Sequence, residues 1–304
     1  MTKHLVLIAA LGVVGCAGAT RPDSQTAESI VRAQAPPSRL VDARTGADVT
    51  VDALLARALP TEVIYVGERH DRPEDHAVQY ALIRALYGQD SSFAIGMEMF
   101  QVPYQAPLDR WSAGEIDETV LREDTEYDQR WGYDFGLYRP ILEYARSRGL
   151  EVVALNAPRE VAFAVAKSGL DGVPPDLAGY IPDVDLDDAE HRALFDEEFD
   201  AQQHEVTEGI DRYYEAQLVW DETMGSRVAE TLARPDGPSR MVVLAGRVHV
   251  KRGLGIPKRG ARRGAEPFVV VIPVTEKELK AELKLAPEDR SADFLWVVEP
   301  SGNR

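Results

Sequence analysis

The chain has 304 residues, a formal net charge of −17 and a pI near 4.8, so long-range electrostatics repel nucleic acid and anionic membrane surfaces. A single cysteine excludes intramolecular disulfides, and the fold must stand on its apolar core.

At the amino terminus, Lys3 precedes an apolar run from Leu5 to Val14, the layout of a secretion signal and too short to span a bilayer as a folded helix. The run ends in Val13-Val14-Gly15-Cys16, which resembles a lipobox; residues 1–15 are then a removable signal, and Cys16 becomes the lipidated N-terminus. The alternative is an ordinary signal cleaved near Ala19. Acyl chains contribute roughly 0.8 kcal/mol per buried methylene, so lipidation would hold the chain on a membrane of the cell envelope. Ala17 after the cysteine, in place of Asp, favours the outer membrane in the familiar sorting rule. Residues 16–38, rich in Ala, Pro, Ser, Gln and Thr, are expected to be a flexible tether. One domain is expected over 39–304.

Within it, short β-branched runs alternate with helical patterns. Val63 to Val66, Phe93 to Met97, Val152 to Leu155, Met241 to Ala245 and Phe268 to Ile272 predict buried strands, with a further one over Asp293 to Val298. Helices are predicted over Glu74 to Tyr87, Leu137 to Arg148, Arg159 to Lys167, and along Asp187 to Ala233; Pro73 and Pro158 mark helix starts. The fold class is α/β, a mostly parallel sheet flanked by helices. Asp171 to Asp188 is expected to be a loop and the acidic Glu190 to Glu208 a solvated helical excursion.

Ligands of open parallel sheets bind at the carboxyl ends of the strands. There the sequence places Glu68 and His70, Glu98, Asn156, and His249 after Gly246-Arg247-Val248. Glu68, His70, Glu98 and His249 could act as general base and electrophile at a carbonyl, and His70, Glu98 and His249 could hold a divalent metal; the spacing leaves both open. Each residue alone could equally cap a helix or satisfy a loop. Gln217, Trp220, Asp221 and Met224 share one helix face, so Gln217 and Asp221 either reach the pocket or hold backbone. Tyr127, Trp131, Tyr133, Phe135 and Tyr138 form an aromatic cluster that either packs or walls a planar ligand. Lys251, Arg252, Lys258, Arg259, Arg262 and Arg263 make a cationic loop, either solvated or meeting carboxylates of a ligand or partner.

Gly67-Glu68-Arg69-His70-Asp71 with His76, Glu98-Met99-Phe100, Tyr138-Arg139-Pro140, Asn156-Ala157-Pro158-Arg159, Gln217 to Met224 and Gly246 to Pro257, in that order, resemble the ChaN-type haem-binding lipoprotein family. The resemblance covers about Val63 to Pro257. It implies haem as ligand, a role in iron acquisition, an envelope location, and haem held by tyrosine across a homodimer, although no motif places that tyrosine here. It also implies a distant kinship with erythromycin-esterase and Tiki-type hydrolases, whose catalytic or metal-bearing strand ends fall on Glu68, His70, Glu98 and His249. His76, Asn156, Arg159, Gln217 and Asp221 are expected to line or support the pocket. Two departures carry expectations of their own: Val248 in place of a glycine should displace His249, and Arg69 should pair with Glu98 and discourage a metal.

Overall fold

Six runs of Val, Ile, Leu, Met and Phe and one four-residue segment pair into a single seven-stranded sheet. The computed structural model describes residues 24–33, 39–201 and 209–300. The signal, Cys16 and much of the expected tether lie outside the described residues. The strands are β1 (Arg39–Asp42), β2 (Val63–Glu68), β3 (Phe93–Gln101), β4 (Val152–Asn156), β5 (Arg240–Gly246), β6 (Phe268–Val274) and β7 (Phe294–Val297). Their order is β1-β7-β6-β2-β5-β3-β4, and every pairing is parallel except β1 with β7. The expected α/β class and all six expected strands are present; β1 is the addition.

Alternation along each strand sends successive side chains to opposite faces. Ile64, Val66, Ile95, Met97, Val242 and Leu244 join one core, packed with Leu82, Ile83 and Leu86 of the Pro73–Tyr87 helix and Ile141 and Leu142 of the Arg139–Arg148 helix. Val63, Tyr65, Ala94, Met241, Val243 and Ala245 join the other, against Met224 and Val228 of the Ile210–Leu232 helix. Each buried aliphatic side chain contributes about 1.5–3 kcal/mol, which makes these two layers the main source of stability. Gly225 lets the long helix approach the Ile256–Ala261 helix closely, since a Cβ there would lie 2.6 Å from Arg259 Cβ and 2.8 Å from the Gly260 nitrogen.

The chain leaves β2 towards β3 and leaves the adjacent β5 towards β6, on the other side of the sheet. The loops after two neighbouring strands therefore diverge, and the crevice between them opens at their carboxyl ends.

Three expectations are corrected. Part of the expected tether is a helix, Ser24–Ala33, docked on the domain through buried Val31 and ion pairs of Glu28 with Arg139 (2.5 Å) and Arg32 with Glu143. The acidic excursion is not solvated all round: in the Ala189–Ala201 helix, His191, Leu194, Phe195 and Phe199 are buried, and the two phenylalanines pack with Tyr214 and Leu218 of the long helix. The cationic loop meets carboxylates on this helix, on the residue before it and on the long helix. Lys258 and Arg259 bind Asp188 (2.8 and 2.9 Å), Arg262 and Arg263 bind Glu222 (2.9 and 2.6 Å), and Lys251 binds Glu198 (2.6 Å). These cations thus meet carboxylates of their own chain.

Candidate functional site

Glu68 ends β2 on the face covered by the Pro73–Tyr87 helix and is fully enclosed. Its Oε1 accepts from His70 Nδ1 and from the Tyr138 hydroxyl, both at 2.8 Å; its Oε2 accepts from Gln79 Nε2 at 2.6 Å and lies 3.3 Å from His76 Nδ1. Burial alone would raise the Glu68 pKa, but His76 and His70 outweigh it and hold the carboxyl well below the usual range. His76 faces only acceptors, Glu68 and Gln79 Oε1 at one nitrogen and the His70 carbonyl at the other. Although burial opposes it, Glu68 raises the His76 pKa, so its imidazolium is part of the framework. With Nδ1 committed to Glu68, His70 has Nε2 left to meet a ligand.

Glu98 has the opposite parity on β3 and falls on the face of the Ile210–Leu232 helix. Its Oε2 accepts from the Gly246 N–H at 2.6 Å, and its Oε1 lies 3.4 Å from His249 Nε2. The other His249 nitrogen, Nδ1, donates to Asp221 Oδ1 at 2.6 Å. Asp221 Oδ2 accepts from Gln217 Nε2 (3.2 Å) and His191 Nε2 (3.1 Å). His249 is thus clamped between two carboxylates: burial lowers its pKa, Glu98 and Asp221 raise it, and the result is pushed up to about 10. Glu98 and Asp221 are correspondingly lowered against the effect of burial, chiefly by His249.

The two sets meet over Gly246. A Cβ on that residue would lie 2.9 Å from His70 Cε1 and 3.5 Å from His249 Cδ2, so both imidazoles flank one glycine. On the open side, the His70 ring packs on Trp131 and Tyr133, with centroids 4.7 and 4.9 Å away. The aromatic cluster therefore divides. Tyr127, Phe135 and Tyr138 are core, and burial together with Glu68 raises the Tyr127 and Tyr138 phenols well above their ordinary pKa.

The structure brings together Glu68, His70, His76, Glu98, Gln217, Asp221 and His249. It does not join Arg159 to them: its guanidinium donates to the Gln129 carbonyl (2.8 Å) and covers the Phe163 ring. Asn156 is buried at the end of β4, on the same sheet edge, with an Oδ1 that has no partner among the described residues. No group of three or more His, Cys, Asp or Glu side chains among the described residues is arranged to hold a metal ion. The three expected ligands are instead His–carboxylate pairs, with both His249 nitrogens turned to acids.

Arg69 does not reach Glu98; it pairs with Glu278 at 2.6 Å. Val248 lies inside the helical turn Arg247–Val250 and is not among the positive-φ residues, so the backbone there does not require a glycine.

Gln79, Tyr138 as a donor to Glu68, and His191 complete the site without a sequence motif that marks them in these roles. His191, Phe195 and Phe199 recur at i, i+4 and i+8, a stripe that marks a buried face and would have pointed inward.

Fold and site together define an α/β protein with two opposed carboxylate–imidazole sets at the crevice between its central strands. Residues 54–259 match the family model described as haem-binding uptake, Tiki superfamily, ChaN, and the chain belongs to that family. It shares its fold with a solved structure described as cofacial heme binding to ChaN of Campylobacter jejuni: 19% identity, 84% of this chain and 95% of that one, TM-score 0.65. An erythromycin esterase mutant in its open conformation is a more distant structural neighbour at 15% identity and TM-score 0.46, covering 74% of this chain and 72% of that one. Among curated proteins it is similar to Protein RETICULATA-RELATED 5, chloroplastic, of Arabidopsis thaliana, 26% identical over 267 residues. That match covers 79% of this chain and 34% of the relative, so this chain spans about a third of that protein's length.

Proposed function

We propose that the chain is a lipid-anchored haem-binding protein of the cell envelope that serves haem or iron uptake. The observation that carries this reading is His70: its ring is oriented by Glu68 and packed edge-on against Trp131 and tilted against Tyr133, at the opening of the crevice. The residues present fit haem. Indole and phenol rings offer a wall for a flat apolar body, and a carboxylate behind an imidazole raises its strength as a ligand. When bound, haem supplies a ferric centre that accepts imidazole or phenolate. His70 and Tyr133 would meet it; Tyr127 and Tyr138 would not, since their buried phenols resist ionisation. Tyrosine ligation across a homodimer would call on Tyr133 of each copy. Titrating the full chain in detergent with ferric haem should give a saturable Soret shift, altered in His70→Ala or Tyr133→Phe. A linear, unsaturable response would overturn the reading. Anchoring through Cys16 predicts incorporation of radiolabelled palmitate that is lost in Cys16→Ala.

A second reading, a hydrolase, is favoured by one observation: two imidazoles flank the same glycine, one with Nε2 uncommitted and one clamped between two carboxylates. His70 Nε2 could accept a proton from water while the imidazolium of His249 polarises a carbonyl, without or with a divalent metal. His70→Ala should then abolish turnover of an ester panel while the melting temperature stays within a few degrees; wild-type protein inert with zinc, manganese and iron supplied would remove it.

A further inference from the structure

We propose that Arg69, Arg72 and Arg247 form an anion subsite on the β6 side of the crevice, which holds a carboxylate carried by the ligand that packs beside His70. The inference rests on the haem reading, in which that group is a propionate. Arg69 directly follows Glu68 and Arg247 directly follows Gly246, so both stand at the carboxyl ends of adjacent parallel strands. Their side chains reach the end of β6 and the helix that follows it. Arg247 and Arg72 donate to the Pro273 carbonyl (2.8 and 3.1 Å), and all three arginines converge on Glu278, at 2.6, 3.4 and 2.9 Å for Arg69, Arg72 and Arg247.

Glu278 has little capacity left. Its Oε2 also accepts from the Thr275 N–H at 2.6 Å, within the capping box of the Glu276–Glu282 helix, which fixes its rotamer. Asp75, the second carboxylate, takes Arg72 Nε at 2.5 Å and the Arg69 N–H at 2.8 Å, and lies 3.6 Å from Arg247. Donors nonetheless remain. Arg247 Nε is buried with no partner among the described residues, an arrangement that favours an added acceptor. Arg69 keeps 47% of its side chain exposed, beside His70. Burial lowers the Arg247 pKa, with Asp75 and Glu278 opposing that effect and Arg72 and Arg69 adding to it, so three guanidinium groups share two carboxylates here. Guanidinium groups grip carboxylates through paired N–H donors, and His70 with its aromatic neighbours lies next along the rim. The ligand class so specified is a flat apolar body with an anionic edge.

The test compares ferric protoporphyrin IX with its dimethyl ester, which keeps the ring and iron and removes both negative charges. In the full chain, Arg69→Gln should weaken binding of the free acid by about tenfold or more and leave the ester unaffected. Arg69→Lys should recover part of the loss. Equal loss for acid and ester, or no loss for either, would overturn the subsite while leaving the haem reading intact. Failure of the wild type to bind either porphyrin would overturn both.

Discussion

Asp221→Asn removes one of the two carboxylates that clamp His249 and changes little in volume. An imidazolium that keeps its proton up to about pH 10, against an ordinary 6.5, corresponds to about 5 kcal/mol of preference for the charged form in the folded state. Glu98 keeps its attraction for His249 after the substitution, and the amide oxygen of Asn can still accept from Nδ1. The expected cost near pH 6 is therefore about 2–3 kcal/mol, below the roughly 3–5 kcal/mol for breaking a buried pair outright. Because the folded pKa of His249 is raised, its contribution is complete below about pH 6.5 and is lost as pH climbs towards 10. The difference between wild type and Asp221→Asn should thus be widest at pH 6 and shrink by pH 10. Urea denaturation at pH 6, 8 and 10 measures it. A cost that is absent at pH 6, or the same at all three values, would refute the clamp as the source of the charge.

Glu68→Gln should cost about 3–5 kcal/mol, because it uncouples His70, His76, Gln79 and Tyr138 from their shared acceptor; thermal melts check it, and a shift of only a degree or two would contradict that role. Gly246→Ala keeps an allowed φ of −54° but pushes a methyl against His70, so about 1–3 kcal/mol of stability and the haem Soret shift should both be lost. Phe195→Ala should cost about 3–5 kcal/mol and raise amide hydrogen exchange across the Ala189–Ala201 helix. On the acid side, lowered carboxyls at Glu68, Glu98 and Asp221 give stability that is present above about pH 4 and fades as pH falls further, so melting temperature should drop steeply there.

The strands of this fold were legible because Val63 to Val66 or Met241 to Ala245 are apolar without interruption, as parallel strands covered on both faces must be. The chemistry was legible for the same reason: parallel connectivity forces Glu68, Glu98 and His249 to one edge. Gln217 and Asp221 are visible in the sequence as polar groups on a buried helical face, but their contact with His249 depends on how the long helix packs against the loop after β5. What escaped depends on contacts between segments distant in sequence. β1 offers only Leu40 and Val41 as apolar signal and exists through its pairing with β7. His191 sits in an acidic stretch whose composition suggests solvent, and its partner Asp221 is thirty residues away. The docked helix in the expected tether owes its place to Val31, Glu28 and Arg32, which composition alone cannot distinguish from a linker.

Glu68 and Glu98 project from opposite sides of the sheet, and each draws its supporting residues from a separate layer of helices. The two halves of the crevice thus rest on separate layers and are coupled only where they touch, at Gly246 and through the charge of His70 on Glu98. A descendant of this scaffold could trade ligand capture for turnover by rebuilding a single layer, provided that shared glycine stays in place.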